Sequence, residues 1–273
     1  MNVSHVYERM SLLVSFTLLG LIVYFLIELP NRTVELILFG TPLTLVVSQR
    51  WLMALLLGGL VATGTSAVVH AHPLLTQRSS GYPLTFWLLP ALFIILVTLV
   101  LPLVVVNLNG WMVGLGLTGL LLWFVVLAEY HTIDARDRWY EISHAWLNLM
   151  AYCLAFGFFL VIYQTRTRSI LSASEVMLIS GLLAASLLRA GPAQTGRTWL
   201  FAGVTGLVMA QCTWALNYWR LPPLMAAFGL LLLFYLFIGL AQQQLLGRLT
   251  HRALIEFALV SVLGLLAFLR LAF

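Results

Sequence analysis

The side chains best suited to chemistry crowd into one stretch, Glu129 to Asn148. It holds Glu129, Asp134, Asp137 and Glu141, four of the nine acidic residues in the chain. Asp137, Glu141, His144, Asn148 and Tyr152 follow at intervals of four, three, four and four. On a helix that spacing puts them on one face. Carboxylates and an imidazole on a common face can hold a proton or contact a polar substrate. Arg138 could pair with Glu129 or with an anionic group. A structural reading competes at the first positions. Asp134 suits an N-cap, and Asp137 and Glu141 would favour the positive end of the helix dipole. His144 and Asn148 lie further along, beyond the reach of capping. Glu129 ends the preceding apolar run, where the dipole disfavours a carboxylate and calls for a partner. Glu256, shortly after His251 and Arg252, is a further acidic candidate.

A second polar zone comprises Gln211, Trp214, Asn217 and Tyr218, followed by Arg220, Pro222 and Pro223. Gln211, Trp214 and Tyr218 share a helical face. Amide bonding between helices and an aromatic interfacial belt account for this zone as readily as a binding site does. Ser172-Ala173-Ser174-Glu175 has the pattern of a capping box opening a helix. His70 and His72 are two apart and fall on different faces, a poor metal pair. Glu129, His131 and Asp134 match no metal-ligand spacing. No phosphate-cradling glycine loop, zinc-helix motif or nucleophile elbow occurs, and no cofactor is implied.

The elements that must position these groups are read from composition. The 273 residues are 62% hydrophobic and 8% charged, with a mean hydropathy of +1.02. Soluble domains carry roughly 25% charged residues. A chain this apolar cannot cover a water-facing surface, whereas lipid accepts one. The fold class expected is all-α: a polytopic transmembrane helical bundle forming a single integral membrane domain over residues 1–273. Nine segments reach the length of about 20 apolar residues that a crossing needs. They are Ser11–Pro30, Trp51–Val69, Phe86–Asn107, Trp111–Tyr130, Tyr140–Tyr163, Leu171–Leu188, Trp199–Tyr218, Leu224–Leu246 and Ala253–Leu271. A tenth, Thr33–Ser48, is short and broken at Gly40-Thr41-Pro42, which suits either a short span or a re-entrant half-helix.

All 14 cationic residues are arginine. The lack of lysine excludes chemistry through a lysine Schiff base. The arginines sit singly near span ends rather than on one face, which argues against nucleic acid as a partner. Their distribution favours the side of the 131–139 loop as cytoplasmic. Trp51, Trp87, Trp111, Trp139, Trp199 and Trp219 fall at span ends, where indoles prefer the headgroup layer. Gly110 and Gly114 form a GxxxG pair suited to close helix packing. Cys153 and Cys212 lie inside apolar segments as small hydrophobes.

Three roles fit. The first is a carrier of a small molecule, ion or lipid working through the polar stripe. The second is a non-catalytic accessory or scaffold subunit of a larger membrane complex. The third is an intramembrane enzyme modifying a lipid or isoprenoid. The expected setting is a multi-pass integral protein of a bacterial inner membrane. Membrane lipids are the expected partners, joined in the scaffold reading by other membrane subunits or a second copy of the chain.

Overall fold

In a computed structural model the chain forms a helical membrane protein. The structure describes residues 3–26, 32–38, 41–47, 49–72, 85–105, 107–134, 136–165, 169–189, 195–219, 221–245 and, beyond these, 247, 259, 264 and 270. The helices are α1 (Val3–Leu26), α2 (Gln49–His70), α3 (Leu88–Val104), α4 (Leu108–His131), α5 (Tyr140–Thr165), α6 (Ser169–Leu187), α7 (Thr195–Asn217) and α8 (Pro223–Leu245). All but α3 are long and apolar enough to cross a membrane. At 24 residues, α4 extends for about 36 Å. The 17-residue α3 is apolar but shorter, with Pro102 in its last turn. The ninth expected span, Ala253–Leu271, lies almost wholly outside the described residues.

The segment expected to be a short span or half-helix is neither. Strands β1 (Arg32–Leu38) and β2 (Thr41–Val47) form an antiparallel hairpin in which Leu38 pairs with Thr41 and Arg32 with Val47. Seven of its fourteen residues are β-branched, a side-chain type that is stiff in helices and suited to strands. Pro42 brings no amide proton, which a two-stranded ribbon tolerates because each strand is an edge.

The backbone falls into two compact units, one of residues 1–78 and 89–144, the other of residues 79–88 and 145–273. In the first, α1 packs on α2 and α4. Leucines fill the space above glycines: Leu57 over Gly20, Leu13 over Gly64, Leu18 over Gly119. Close approach over small residues is how helices associate where lipid removes the hydrophobic drive. Gly110 and Gly114 follow the same rule, but the side chains above them are Val105 and Leu101 of this chain. In the second unit α6 and α7 pack most closely. A β-carbon on Gly206 would stand 2.7 Å from the Met177 carbonyl oxygen and 3.4 Å from the Gly181 backbone.

Most core hydroxyls are satisfied within their own helices, whereas Thr198 donates to the Leu188 carbonyl and Thr65 Oγ1 on α2 is buried with no partner among the described residues. Thr17, Thr98, Thr118, Thr205 and Thr213 each donate to the carbonyl four residues earlier, and so does Ser180. Such back-bonding leaves no donor exposed to hydrocarbon. The capping box at Ser172 is not used as one. Helix α6 begins three residues earlier, at Ser169, so Ser172 lies inside the first turn and donates to the Ser169 carbonyl.

Candidate functional site

The densest set of titratable groups gathers where α2 and α4 of the first unit end. Helix α2 closes in a turn in which the His72 amide donates to the Val69 carbonyl. Helix α4 closes on Thr132, whose amide donates to the Ala128 carbonyl and whose hydroxyl donates to that of Glu129. The chain then folds back through two turns built on aspartate. Asp134 Oδ1 accepts the Arg136 amide at 2.9 Å, and Asp137 Oδ1 accepts the Trp139 amide at 3.0 Å. Aspartate is the side chain that stabilises such turns by accepting an amide two residues on. Their product is a return of Asp137 over the end of α4. There Asp137 Oδ2 lies 2.5 Å from His131 Nδ1.

The pair is not isolated. The Tyr130 ring stands edge-on to His131, with centroids 6.0 Å apart, and edge-on to His72, at 4.9 Å. Two residues before the end of α4, Glu129 is fully buried. The imidazoles of His131 and His72, the Tyr130 phenol and the Asp134 and Asp137 carboxylates thus share one end of the first unit. With Asp137 ionised, His131 donates from Nδ1 and presents Nε2 to whatever approaches. The His131 hydrogen bond, reinforced by the Trp139 amide, holds the Asp137 carboxyl below its ordinary 3.8. Burial pushes His72 below 6.5, against the opposing pull of Asp134 and Asp137. The cluster combines a fixed carboxylate–imidazole pair with a second histidine kept neutral. Such an arrangement can exchange a proton or orient a polar ligand.

The residues singled out in the sequence are distributed as follows. Glu129 is fully buried in the last turn of α4, two residues from His131 and so on a different helix face. Asp137 leaves the expected stripe, because α5 starts only at Tyr140 and its carboxylate turns toward α4. Arg138, Glu141 and His144 are exposed, and the His144 ring stacks on Tyr140 at 6.0 Å. Asn148 and Tyr152 are half-buried, and Tyr152 meets the rings of Phe234 and Tyr235. The buried face of α5 carries Ser143, Leu147, Met150, Ala151 and Leu154 instead. Glu256 lies outside the described residues.

The second polar zone resolves into individual bonds. Asn217 Nδ2 donates to Ser172 Oγ at 2.9 Å, tying α7 to α6. Tyr163 OH donates to the Leu216 carbonyl at 2.7 Å, tying α5 to α7. Trp214 Nε1 donates to Tyr218 OH at 3.3 Å, and both side chains are exposed, as is Gln211. These are bonds to hydroxyls and carbonyls, with no ionised member.

Sequence reasoning missed Tyr130 and placed His72 and His131 only in discarded metal sets. The available signal was the pair of aspartates three apart directly after a helix ending in Tyr130-His131. Two successive turns at Asp134 and Asp137 are what bring the second carboxylate back to the helix end.

No curated protein and no solved structure matches the chain. A profile described as a protein of unknown function, DUF5656, matches residues 29–271, which include the whole cluster. The chain belongs to that family.

Proposed function

We propose that this multi-pass membrane protein is a carrier that takes up a small polar solute or a proton at the His131–Asp137 end of its first unit, in a bacterial inner membrane. The observation that supports it is the 2.5 Å His131–Asp137 pair at the end of the same helix whose last turn carries the fully buried Glu129. A carboxylate held within an apolar span is costly, and its ordinary use is contact with an ion, a proton or a substrate. A histidine bound to a carboxylate at the rim supplies the proton-exchanging partner. In the same unit Thr17 and Thr118 spend their hydroxyls on their own helices, whereas Thr65 Oγ1 on α2 is buried with no partner among the described residues. The cluster serves as the uptake site in this reading, and Glu141, His144, Asn148 and Glu256 remain further candidates for substrate or proton contact.

A second reading draws on the same pair. Its place just past the end of α4 puts an acid–base couple at headgroup depth, where an enzyme acting on a lipid or isoprenoid would need it.

The test begins with purified protein screened for thermal stabilisation by small organic acids, amines and isoprenoid phosphates at acidic and neutral pH. A stabilising compound is then radiolabelled and offered to proteoliposomes under an imposed pH gradient. The carrier reading predicts gradient-driven accumulation of the unchanged compound. It also predicts that Asp137→Asn lowers uptake roughly tenfold or more, as loss of a charge-assisted hydrogen bond of about 1.5–3 kcal/mol would. Chemical conversion without accumulation would replace it by the enzyme reading. Uptake indifferent to the gradient and to Asp137→Asn would sink both assignments of the site.

A further inference from the structure

We infer that the groove between α1 and α2 is a binding site for an anionic phospholipid, with the headgroup phosphate at Arg9. The groove is open, has a volume of about 340 Å³, and is lined by Leu12, Phe16, Leu60, Thr63 and Gly64 with Arg9 at one end. Both helices are membrane-spanning in length and composition, and the apolar residues Leu12, Phe16 and Leu60 are exposed along it. The floor of the groove is closed where Leu13 packs onto Gly64, in the space a β-carbon would fill. Thr63 adds no polar demand, since its hydroxyl donates to the Gly59 and Leu60 carbonyls of its own helix.

The polar end fits a phosphate. Arg9 is exposed in the second turn of α1, and its Nη1 donates to the Ala67 carbonyl at 3.3 Å. That bond fixes the guanidinium at the head of the groove and uses one of its five N–H donors. Among the described residues no carboxylate pairs with it. A planar guanidinium with spare donors matches a phosphate diester in shape and charge. From Arg9 to Phe16 the helix descends about 10 Å, which is the depth of the upper part of an acyl chain. Charge at the headgroup level and an apolar trough beneath it are the two halves of a phospholipid. The site is separate from the His131–Asp137 cluster and stands whether or not the protein is a carrier.

The experiment is native mass spectrometry of the full-length protein released from mild detergent with dioleoyl phosphatidylglycerol or dioleoyl phosphatidylcholine added at matched concentrations. The site predicts tighter retention of one phosphatidylglycerol, by roughly fivefold over phosphatidylcholine, because one arginine near the surface contributes about 1 kcal/mol toward an anionic lipid. Arg9→Gln should erase that preference and Arg9→Lys should keep most of it. Thr63→Trp, which fills the trough without touching Arg9, should lower retention of both lipids. Equal retention of the two lipids by the wild type would overturn the assignment, and so would an unchanged preference in Arg9→Gln. Displacement by inorganic phosphate at the same concentration would also overturn it, by showing that the apolar trough takes no part.

Discussion

The polar end of the first unit and the α6–α7 contact of the second use similar numbers of polar side chains for opposite ends. At Asn217 and Ser172 an amide meets a hydroxyl across two helices, and at Tyr163 a phenol meets a carbonyl. Every participant is neutral, and the first of these bonds joins α6 and α7, which also pack through Gly181 and Gly206. At His131 and Asp137 both partners are titratable, and the bond closes a short loop back onto the helix that precedes it. A neutral bond between helices stabilises the bundle and does not respond to pH. An ionisable pair at a helix end does little for packing but changes state with its surroundings. The difference teaches that a polar pair of ionisable groups can change charge state with its surroundings, whereas a neutral pair across two helices can only hold them together.

The comparison can be broken most forcefully on its structural side. Gly206→Val places a side chain against the Met177 carbonyl and the Gly181 backbone, which no rotamer can avoid. A loss of about 3 kcal/mol or failure to accumulate folded protein is expected, read by thermal unfolding in detergent. Unaltered stability would show that α6 and α7 do not pack as described. A smaller effect follows at the bond beside it. Asn217→Ala should cost about 1 kcal/mol, the usual value of an interhelical bond in a membrane, and the cost should be the same at every pH. A pH-dependent cost would mean that this zone is not the neutral contrast it is taken to be.

The smallest effect sharpens the other side. Burial lowers the pKa of His72, so the folded protein binds its proton less readily than the unfolded chain does. Its contribution to stability is present above the ordinary value of 6.5 and is lost as pH falls below it. His72→Gln should therefore flatten the decline of the melting temperature on the acid side of 6.5 while leaving the plateau above it unchanged. The Asp137 carboxyl, also lowered, adds a component that is lost only below 3.8. An acid-side slope as steep in His72→Gln as in the wild type would remove His72 from the cluster.

Much of the scaffold was legible before any coordinates. Length and apolar composition mark α1, α2 and α4 through α8 as spans, because a lipid-facing helix needs only continuous hydrophobicity to declare itself. The hairpin was not legible in that way. An apolar run of this length is ambiguous between helix and strand, and the β-branched residues around Pro42 decided it. The site was legible in part. Counting acidic residues pointed to the stretch in which Asp137 meets His131, whereas helical spacing assigned Asp137 to the stripe on α5 instead. Spacing rules hold only inside a helix, and two aspartate turns precede α5. His72 is 59 residues from His131, and no local pattern links them; only the return of α2 to the end of α4 does.

The most direct test of the central claim, that the His131–Asp137 pair works and the Asn217–Ser172 pair holds, is a double-mutant cycle on each pair. His131→Gln with Asp137→Asn is set against Asn217→Ala with Ser172→Ala, and each variant is read for both melting temperature and proteoliposome uptake. The account predicts that either change in the first pair lowers uptake by roughly tenfold or more, that the double variant is no worse, and that melting moves little. In the second pair, melting should fall by about 1 kcal/mol of coupling-linked stability while uptake per folded molecule stays at the wild-type level. Uptake that survives the loss of His131 and Asp137, with melting falling instead, would contradict the account and make that pair a structural bond like its counterpart.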